Sequence, residues 1–347
     1  MGTNTGSVAL PGGPGWRRVV GNRAVGVAAA FWLLGTLAAL TLTGSGGLPF
    51  GDRPRLGGAS VAAELLNVWG GLAVALLLVG VAYVVTRHRA VPDLAARAPE
   101  RRVARFEVLL LALYGVLVQL GGWVLGTALG EHPVSLHLHG TVYGAAHPVV
   151  PGYALLWAGY NFVFYAVVPY LVFRRRGYSD EQLSLRSSNP RGDALLIVVV
   201  LLLESAVEFG AVSAALFSLE PAQLLVGVPA SLALNLFGTV LPIMVFLYAV
   251  LLPRVLKLTG SALSTAVVGG FAYAAVHAFE SWAAYDSLPN ALLSVFFIGM
   301  QYFGPGVVKS VLTLRTGNAW VHAWSYHAVA PHVTLDTTNV VAIFRIR

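Results

Sequence analysis

The sequence predicts an all-α membrane protein, a polytopic helix bundle with about eight transmembrane helices and a short ninth or re-entrant segment at the C-terminal end. Three observations predict this class. Of the 347 residues, 57% are hydrophobic and only 11% are charged, whereas soluble domains carry about 25% charged residues. The apolar residues form separate runs near the ~20 residues that a crossing helix needs. Basic residues are concentrated in alternate connecting segments, as in cytoplasmic loops.

The elements follow from this pattern in chain order. Residues 1–15 are rich in Gly, Ser and Pro and are predicted to form a disordered tail. The run 24–43 follows three arginines, and it is longer than the roughly 7–15 apolar residues of a signal peptide, so we predict a retained first span. The further predicted spans are 61–85, 106–129, 153–173, 194–217, 229–252, 261–282 and 288–312. A shorter run rich in His and Trp, 319–333, either crosses the membrane or dips in and returns.

The basic residues orient these spans. A cytoplasmic N-terminus places most of them in inner segments, among them Arg254 and Lys309, and the net charge of +7 is therefore an orientation signal. We expect a multi-pass protein of the cell membrane, in contact with the lipid bilayer and with no nucleic acid partner. An N-terminal region of four spans, 16–173, has no assigned role, whereas the region 174–347 contains nearly all the unusual polar residues. The absence of cysteine excludes a thiolate nucleophile or metal ligand.

The most unusual residues are two acids inside the fifth predicted span. Glu204 and Glu208 are spaced i, i+4 and therefore share one helix face. An acid at mid-membrane costs at least about 2–3 kcal/mol, and such residues usually face the protein interior and serve function. The alternative is that both are neutral and hydrogen-bond between helices as structural contacts. We favour a functional role for the pair.

Imidazoles accompany these acids in two later segments. His277 and Glu280 are spaced i, i+3 on the seventh predicted span and should share a helix face. The final segment contains His327. It also contains His322 and His332, which we expect to lie near a membrane edge and to have no functional role. Carboxylate and imidazole together can deprotonate a water or hold a divalent metal such as zinc. Four further histidines in the loop 130–152 match no zinc spacing, so a metal site there is the weaker alternative.

Three stretches of the second half form a set. The first is Glu204-Ser-Ala-Val-Glu208-Phe-Gly, the second is Tyr273-Ala-Ala-Val-His277, and the third, residues 314–332, reads LRTGNAWVHAWSYHAVAPH and contains His327. Together they resemble the motifs of the CPBP family of intramembrane proteases, the group that includes the type II CAAX prenyl endopeptidases and bacteriocin-processing homologues. The resemblance covers about residues 174–333.

The resemblance implies a proteolytic centre within the membrane. Glu204 and His277 would activate a water that attacks a peptide carbonyl of a hydrophobic or prenylated substrate. His327 would help to bind the oxyanion or a metal. If the centre holds a divalent metal such as zinc, its ligands would be Glu204, His277 and His327, with Glu280 as a weaker candidate.

This chain departs from the family motifs at three positions. Ser205 stands where the first motif has its second Glu, Phe209 where it has Arg, and Pro331 where the third motif has Asn or Asp. Glu208 lies one helical turn from Glu204. We therefore predict that Glu208 replaces the carboxylate that is lost at Ser205.

Two other classes of function stay open. A catalytically inactive descendant would keep the fold as a binding or scaffolding protein; the lost motif residues favour this class, and the retained buried polar residues argue against it. A proton-coupled transporter would use buried Glu and His as a relay. Inverted repeats would support a transporter, and the sequence shows none.

Overall fold

The computed structural model describes residues 19–43, 47–50, 60–130, 149–280 and 282–347, and it describes residues 211–214 by their backbone alone. Every regular element within these ranges is helical. The predicted N-terminal tail and the histidines of the loop 130–152 lie outside the described residues. Six helices in the described ranges are long and apolar enough to cross a membrane. The prediction of a multi-pass helical membrane protein is therefore confirmed at this level.

The helices are numbered in chain order. The first half consists of α1 (Arg23–Leu42), α2 (Val61–Val85), the short α3 (Leu94–Arg97), α4 (Arg101–Ala128) and α5 (Pro151–Arg175). The second half begins with α6 (Pro190–Val212), a 3₁₀ turn (Ser213–Ser218), the long α7 (Pro221–Thr259), α8 (Ala262–Ala275) and α9 (Leu288–Thr316). The chain ends with α10 (Ala319–His322), continued by π-helical Ala323–His327, and with α11 (Ala330–Thr334) and α12 (Thr337–Phe344).

Three π-helical stretches interrupt α5 and α7, and each ends two residues before a proline. The stretches are Phe162–Val167, Leu236–Val240 and Met244–Leu251, and the prolines are Pro169, Pro242 and Pro253. Proline has no N–H, and its ring crowds the carbonyl four residues earlier. The backbone therefore widens to i→i+5 bonding ahead of each proline, so that these helices continue through it.

The prediction that residues 261–282 form one crossing helix is wrong. Helix α8 ends at Ala275 after 14 residues, which gives a length of about 21 Å against a hydrocarbon core of about 30 Å. Tight turns follow it, for example from His277 N–H to the Ala274 carbonyl at 3.0 Å. Gln119 of α4 donates to the Val276 carbonyl at 3.0 Å and satisfies the backbone at this end. Non-helical backbone at membrane depth is tolerated where protein buries it in this way.

Glycines let α8 approach α9 closely. A Cβ on Gly306 would stand 2.8 Å from the Cα of Gly270, and a Cβ on Gly270 would stand 2.8 Å from the ring of Phe303. Both distances are below ordinary van der Waals contact, so only Gly fits at these two positions without a shift. The close contact carries the residues after α8 against the middle of α9.

The C-terminal segment runs the full length of the bundle. At its start, Asn318 donates to Asp193, in the first turn of α6, at 2.8 Å. At its end, the Ile346 carbonyl accepts from Gln223, which lies beyond the other end of α6, at 3.1 Å. The segment therefore lies alongside α6 over its whole length, and the choice between a segment that crosses and one that dips in and returns stays a prediction.

Two basic residues that the sequence counted on the inner side of the membrane are buried on helices. Helix α7 continues to Thr259, and Arg254 on it is 1% exposed and pairs with Glu107 of α4 at 2.5 Å. Helix α9 continues to Thr316, and Lys309 on it is also 1% exposed. Both helices extend beyond their apolar runs until a glycine in the left-handed conformation ends them.

Candidate functional site

A cluster of buried and half-buried polar side chains lies inside the bundle, where α6, the end of α8, the middle of α9 and the C-terminal segment meet. We call it the central polar cluster. Its members are Glu204, Tyr273, His277, Glu280, Tyr302, Lys309, His322, Tyr326, His327 and His332. It includes the predicted site residues of all three motifs.

His277 and Glu280 lie in the turns after α8, and the predicted shared helix face is therefore wrong. The turns nevertheless bring the two side chains together, with His277 Nδ1 3.5 Å from Glu280 Oε1. The Tyr302 hydroxyl donates to the same carboxylate oxygen at 3.0 Å, and the rings of Tyr302 and His277 are 3.8 Å apart. The carboxylate thus lies beside the imidazole, at a distance longer than an ordinary hydrogen bond.

Tyr273 lies between the two histidines that the motifs single out. Its ring centroid is 4.7 Å from that of His277 and 6.1 Å from that of His327. His277 is 1% exposed and His327 is 2% exposed. The two imidazoles thus share one aromatic neighbour although 50 residues of chain separate them.

The three histidines of the C-terminal segment form a row. Ring centroids are 6.3 Å apart for His322 and His327, and 5.3 Å apart for His327 and His332. The row ends at Asp336, whose Oδ2 lies 2.8 Å from His332 Nδ1. The expectation that His322 and His332 lie at a membrane edge is wrong, because both are buried in the bundle.

The spacing of this row explains why the sequence did not reveal it. Positions five apart are out of phase on an α-helix. The π-helical turn Ala323–His327, closed by the Ala328 N–H to the Ala323 carbonyl at 2.8 Å, widens the helix and brings His327 next to His322. His332 follows after a break in the helix at residues 328–329. A repeated i, i+5 spacing of histidines is the signal that could have indicated the row.

Glu204 faces the cluster from α6. It is 6% exposed, and its Oε2 has no hydrogen-bond partner among the described residues. Helix α6 packs against the π-helical turn that holds His327. Glu208 is half-buried and lies one helical turn from Glu204 on the same continuous α-helix. The predicted shared face of the two acids is therefore confirmed.

Lys309 is the member of the cluster that sequence reasoning missed. Its Nζ lies 3.5 Å from the centroid of the Tyr273 ring and 5.6 Å from that of Tyr326. In the sequence it resembles an orienting charge at the end of a span. The available signal was its position inside the predicted span 288–312, three residues before that apolar run ends.

The predicted metal ligands do not form a ligand set in this arrangement. No three His, Asp or Glu side chains in the described ranges are placed to hold one metal ion together, and the Tyr273 ring contacts both His277 and His327. A metal held by Glu204, His277 and His327, with or without Glu280, stays a prediction, and we derive no chemical step through it.

Comparisons with known proteins add no relative. No family model matches the chain, and no curated protein or solved structure is similar enough to count as a match. The resemblance to the CPBP family therefore rests on the three motifs and stays a prediction.

Proposed function

We propose that this chain is a membrane-embedded endopeptidase of the CPBP type, which hydrolyses a peptide bond of a hydrophobic or prenylated substrate. One observation supports the proposal. Glu204, His277 and His327 come from three separate segments and all are buried. His277 and His327 share the ring of Tyr273, and the helix of Glu204 packs against the turn that holds His327. Each such residue costs insertion free energy, so their convergence favours a common task.

The chemistry that these side chains can perform is general acid–base catalysis. Glu204 has an oxygen without a hydrogen-bond partner among the described residues and can accept a proton from a water. His277, held by Glu280 and in contact with Tyr302, can relay that proton to the leaving amine. His327 is the candidate donor to the oxyanion. Glu208 assists Glu204 from the same side of α6.

The proposal includes a membrane topology. Helix α6, with 23 residues, joins the six long apolar helices as a seventh crossing element. Helix α8 is too short to cross alone, so we count it together with the turns that follow it as the eighth, and the C-terminal segment is the ninth. The N-terminus is cytoplasmic, and the protein resides in the cell membrane. This orientation is supported by the basic residues, which cluster on one side, as the positive-inside rule requires.

Proteolysis by purified protein in liposomes tests the proposal. Glu204→Gln and His277→Ala should each abolish cleavage of hydrophobic and prenylated peptides. The exposed residues Glu181 and His88 provide matched controls, since Glu181→Gln and His88→Ala should keep full activity. Zinc and chelator are added in separate arms to decide metal dependence. Folded protein that cleaves no substrate would favour the inactive scaffold instead.

Glu208 has its own test in the same assay. If it replaces the carboxylate lost at Ser205, Glu208→Gln should lower activity strongly although the side-chain volume is kept. Full activity of this variant beside an inactive Glu204→Gln would show that the compensation is wrong.

The row of histidines favours a second candidate, proton conduction. His322, His327, His332 and Asp336 extend toward the end of the bundle that holds Gln223. Such chains serve as proton relays in pumps and transporters. Acidification of liposomes under a potassium diffusion potential measures conduction, which His332→Leu should abolish. A wild-type protein without proton flux eliminates this candidate.

A further inference from the structure

The start of the third motif-like stretch, residues 314–319, takes no part in the proposed chemistry. It forms the turn between α9 and α10, and this turn lies against the connection between α2 and α4. Arg315 donates from Nε to the Thr86 hydroxyl at 2.8 Å and from Nη2 to the Thr86 carbonyl at 2.7 Å. Arg97 donates from Nη1 to the Gly317 carbonyl at 2.6 Å. The two segments are therefore joined by one arginine from each side.

Residues around the start of α6 hold the same turn from a second side. Asn318 donates to Oδ2 of Asp193 at 2.8 Å, and Oδ1 of Asp193 lies 2.6 Å from Nη1 of Arg89. The Ala319 N–H donates to the Ser184 carbonyl at 2.8 Å. Hydrogen bonds that involve a charged group are stronger than neutral ones, and several of these contacts are of that kind. We call the whole set the α9–α10 clamp, and its members are Thr86, Arg89, Arg97, Ser184, Asp193, Arg315, Gly317, Asn318 and Ala319.

The turn fits closely into this clamp. Gly317 ends α9 at a φ of +66°, in the left-handed region that favours glycine. A Cβ at this position would stand 3.0 Å from Arg97 Nη2 and 3.0 Å from Pro92. A larger residue would therefore push the turn away from the connection between α2 and α4.

The clamp holds the start of the helix that carries two of the clustered imidazoles. Asn318 is the N-cap of α10, since its side-chain oxygen accepts from the Trp320 N–H at 3.1 Å. Helix α10 ends at His322 and continues directly into the π-helical turn that ends at His327. Because both imidazoles follow from one capped end without a break, the position of that end sets where they lie in the bundle.

We propose that Thr86 and Arg97 are positioning residues for His327, which they reach through the α9–α10 clamp and the helix that begins there. Both belong to the N-terminal region 16–173, to which no role was assigned, and the proposal gives this region a task in the site. Neither residue takes part in the proposed chemistry itself. The clamp does not depend on the proposed function, whereas its effect on cleavage rests on that function.

Hydrogen–deuterium exchange of the full-length protein in detergent tests the clamp without any activity. Arg97→Ala should speed amide exchange in residues 319–327 about 10-fold or more, because the helix loses a charged anchor at its start. Exchange in the buried stretch Met244–Leu251 should stay the same. Arg105→Ala is the matched control, since Arg105 is an exposed arginine outside the clamp and its loss should change neither stretch. Unchanged exchange in 319–327 of Arg97→Ala, or an equal rise in both stretches, would overturn the proposal.

Kinetics test the positioning role. Arg97→Ala should lower kcat about 10–100-fold with KM little changed, because a shift of about 1 Å at His327 weakens an interaction made in the transition state. Arg97→Lys keeps a cation that can donate to the Gly317 carbonyl and should restore a large part of kcat. Thr86→Val keeps the side-chain volume and removes one acceptor, so it is the milder variant for both tests and should give a smaller loss of the same kind.

The two measurements separate the possible failures. A change in KM alone, or no restoration by lysine at position 97, would overturn the positioning role. If the wild-type protein cleaves nothing while exchange in 319–327 responds as expected, the proposed function fails and the clamp stands.

Discussion

Replacing Glu107 with glutamine should destabilise the protein by about 3–5 kcal/mol, because the change leaves a buried guanidinium without its counter-charge. Glu107 is fully buried, and its Oε2 lies 2.5 Å from Nε of Arg254, which is 1% exposed. Its other oxygen lies 2.8 Å from Arg176, whose side chain is 40% exposed. That second contact adds at most about 1 kcal/mol because solvent screens it. Glutamine keeps the shape of the side chain, so the loss reports the charge and the hydrogen bonds from Arg254 and Tyr178 rather than packing.

This loss of unfolding free energy should lower the melting temperature by about 6 °C or more. Tryptophan fluorescence of the protein in detergent measures the change. Asp180→Asn is the matched control, because its ion pair with Arg174 is long, 3.6 Å, and both side chains are 40% exposed or more. An exposed pair of this kind contributes about 0–1 kcal/mol. If Glu107→Gln melts within about 2 °C of the wild type, the reasoning about the buried pair is refuted.

Three further predictions concern packing and topology. Gly238→Ala should lower the free energy of unfolding by about 1–3 kcal/mol, because the added Cβ would overlap the Trp157 ring. Gly159→Ala is the control, since open space surrounds that position, and thermal unfolding of both variants measures the difference. Asp193→Ala removes the acceptor of the Asn318 side chain, so amide hydrogen exchange in the C-terminal segment after Asn318 should become faster. Unchanged exchange would show that this hydrogen bond does not anchor the segment. Reporter fusions at the two termini should locate them on opposite faces of the membrane, and two reporters on one face would contradict the crossing path.

Hydropathy predicted the long helices well because length and apolarity are enough to specify a crossing element. The predicted span 61–85 coincides with α2, and the run 24–43 differs from α1 by one residue at each end. Charge distribution was less reliable. Arg254 and Lys309 satisfied the orientation rule by position, yet both are buried. Sequence reasoning counts a cation near a span end, but it cannot tell whether the helix continues and turns that cation inward.

The candidate site was predicted in its membership more than in its geometry. Glu204, His277 and His327 all lie in the cluster. Helical periodicity, however, placed His277 on a helix that has already ended. It also gave no reason to place His327 next to His322 and His332, each of which is five residues away in the sequence. Both errors assume an uninterrupted α-helix, and the sequence signals for a helix end or a π-turn inside an apolar run are weak.

Helix interruptions and buried polar groups coincide in this bundle. Helix α8 stops just before His277, a π-helical turn holds His327, and a π-helical stretch of α7 holds Tyr248, whose ring is 4.4 Å from that of His322. Irregular backbone at membrane depth is itself unfavourable unless protein buries it, and each ionisable group adds a further cost. A bundle selected only for stability would carry neither. Their concentration in one region, on three different elements, supports the proposal that the central polar cluster is the functional site.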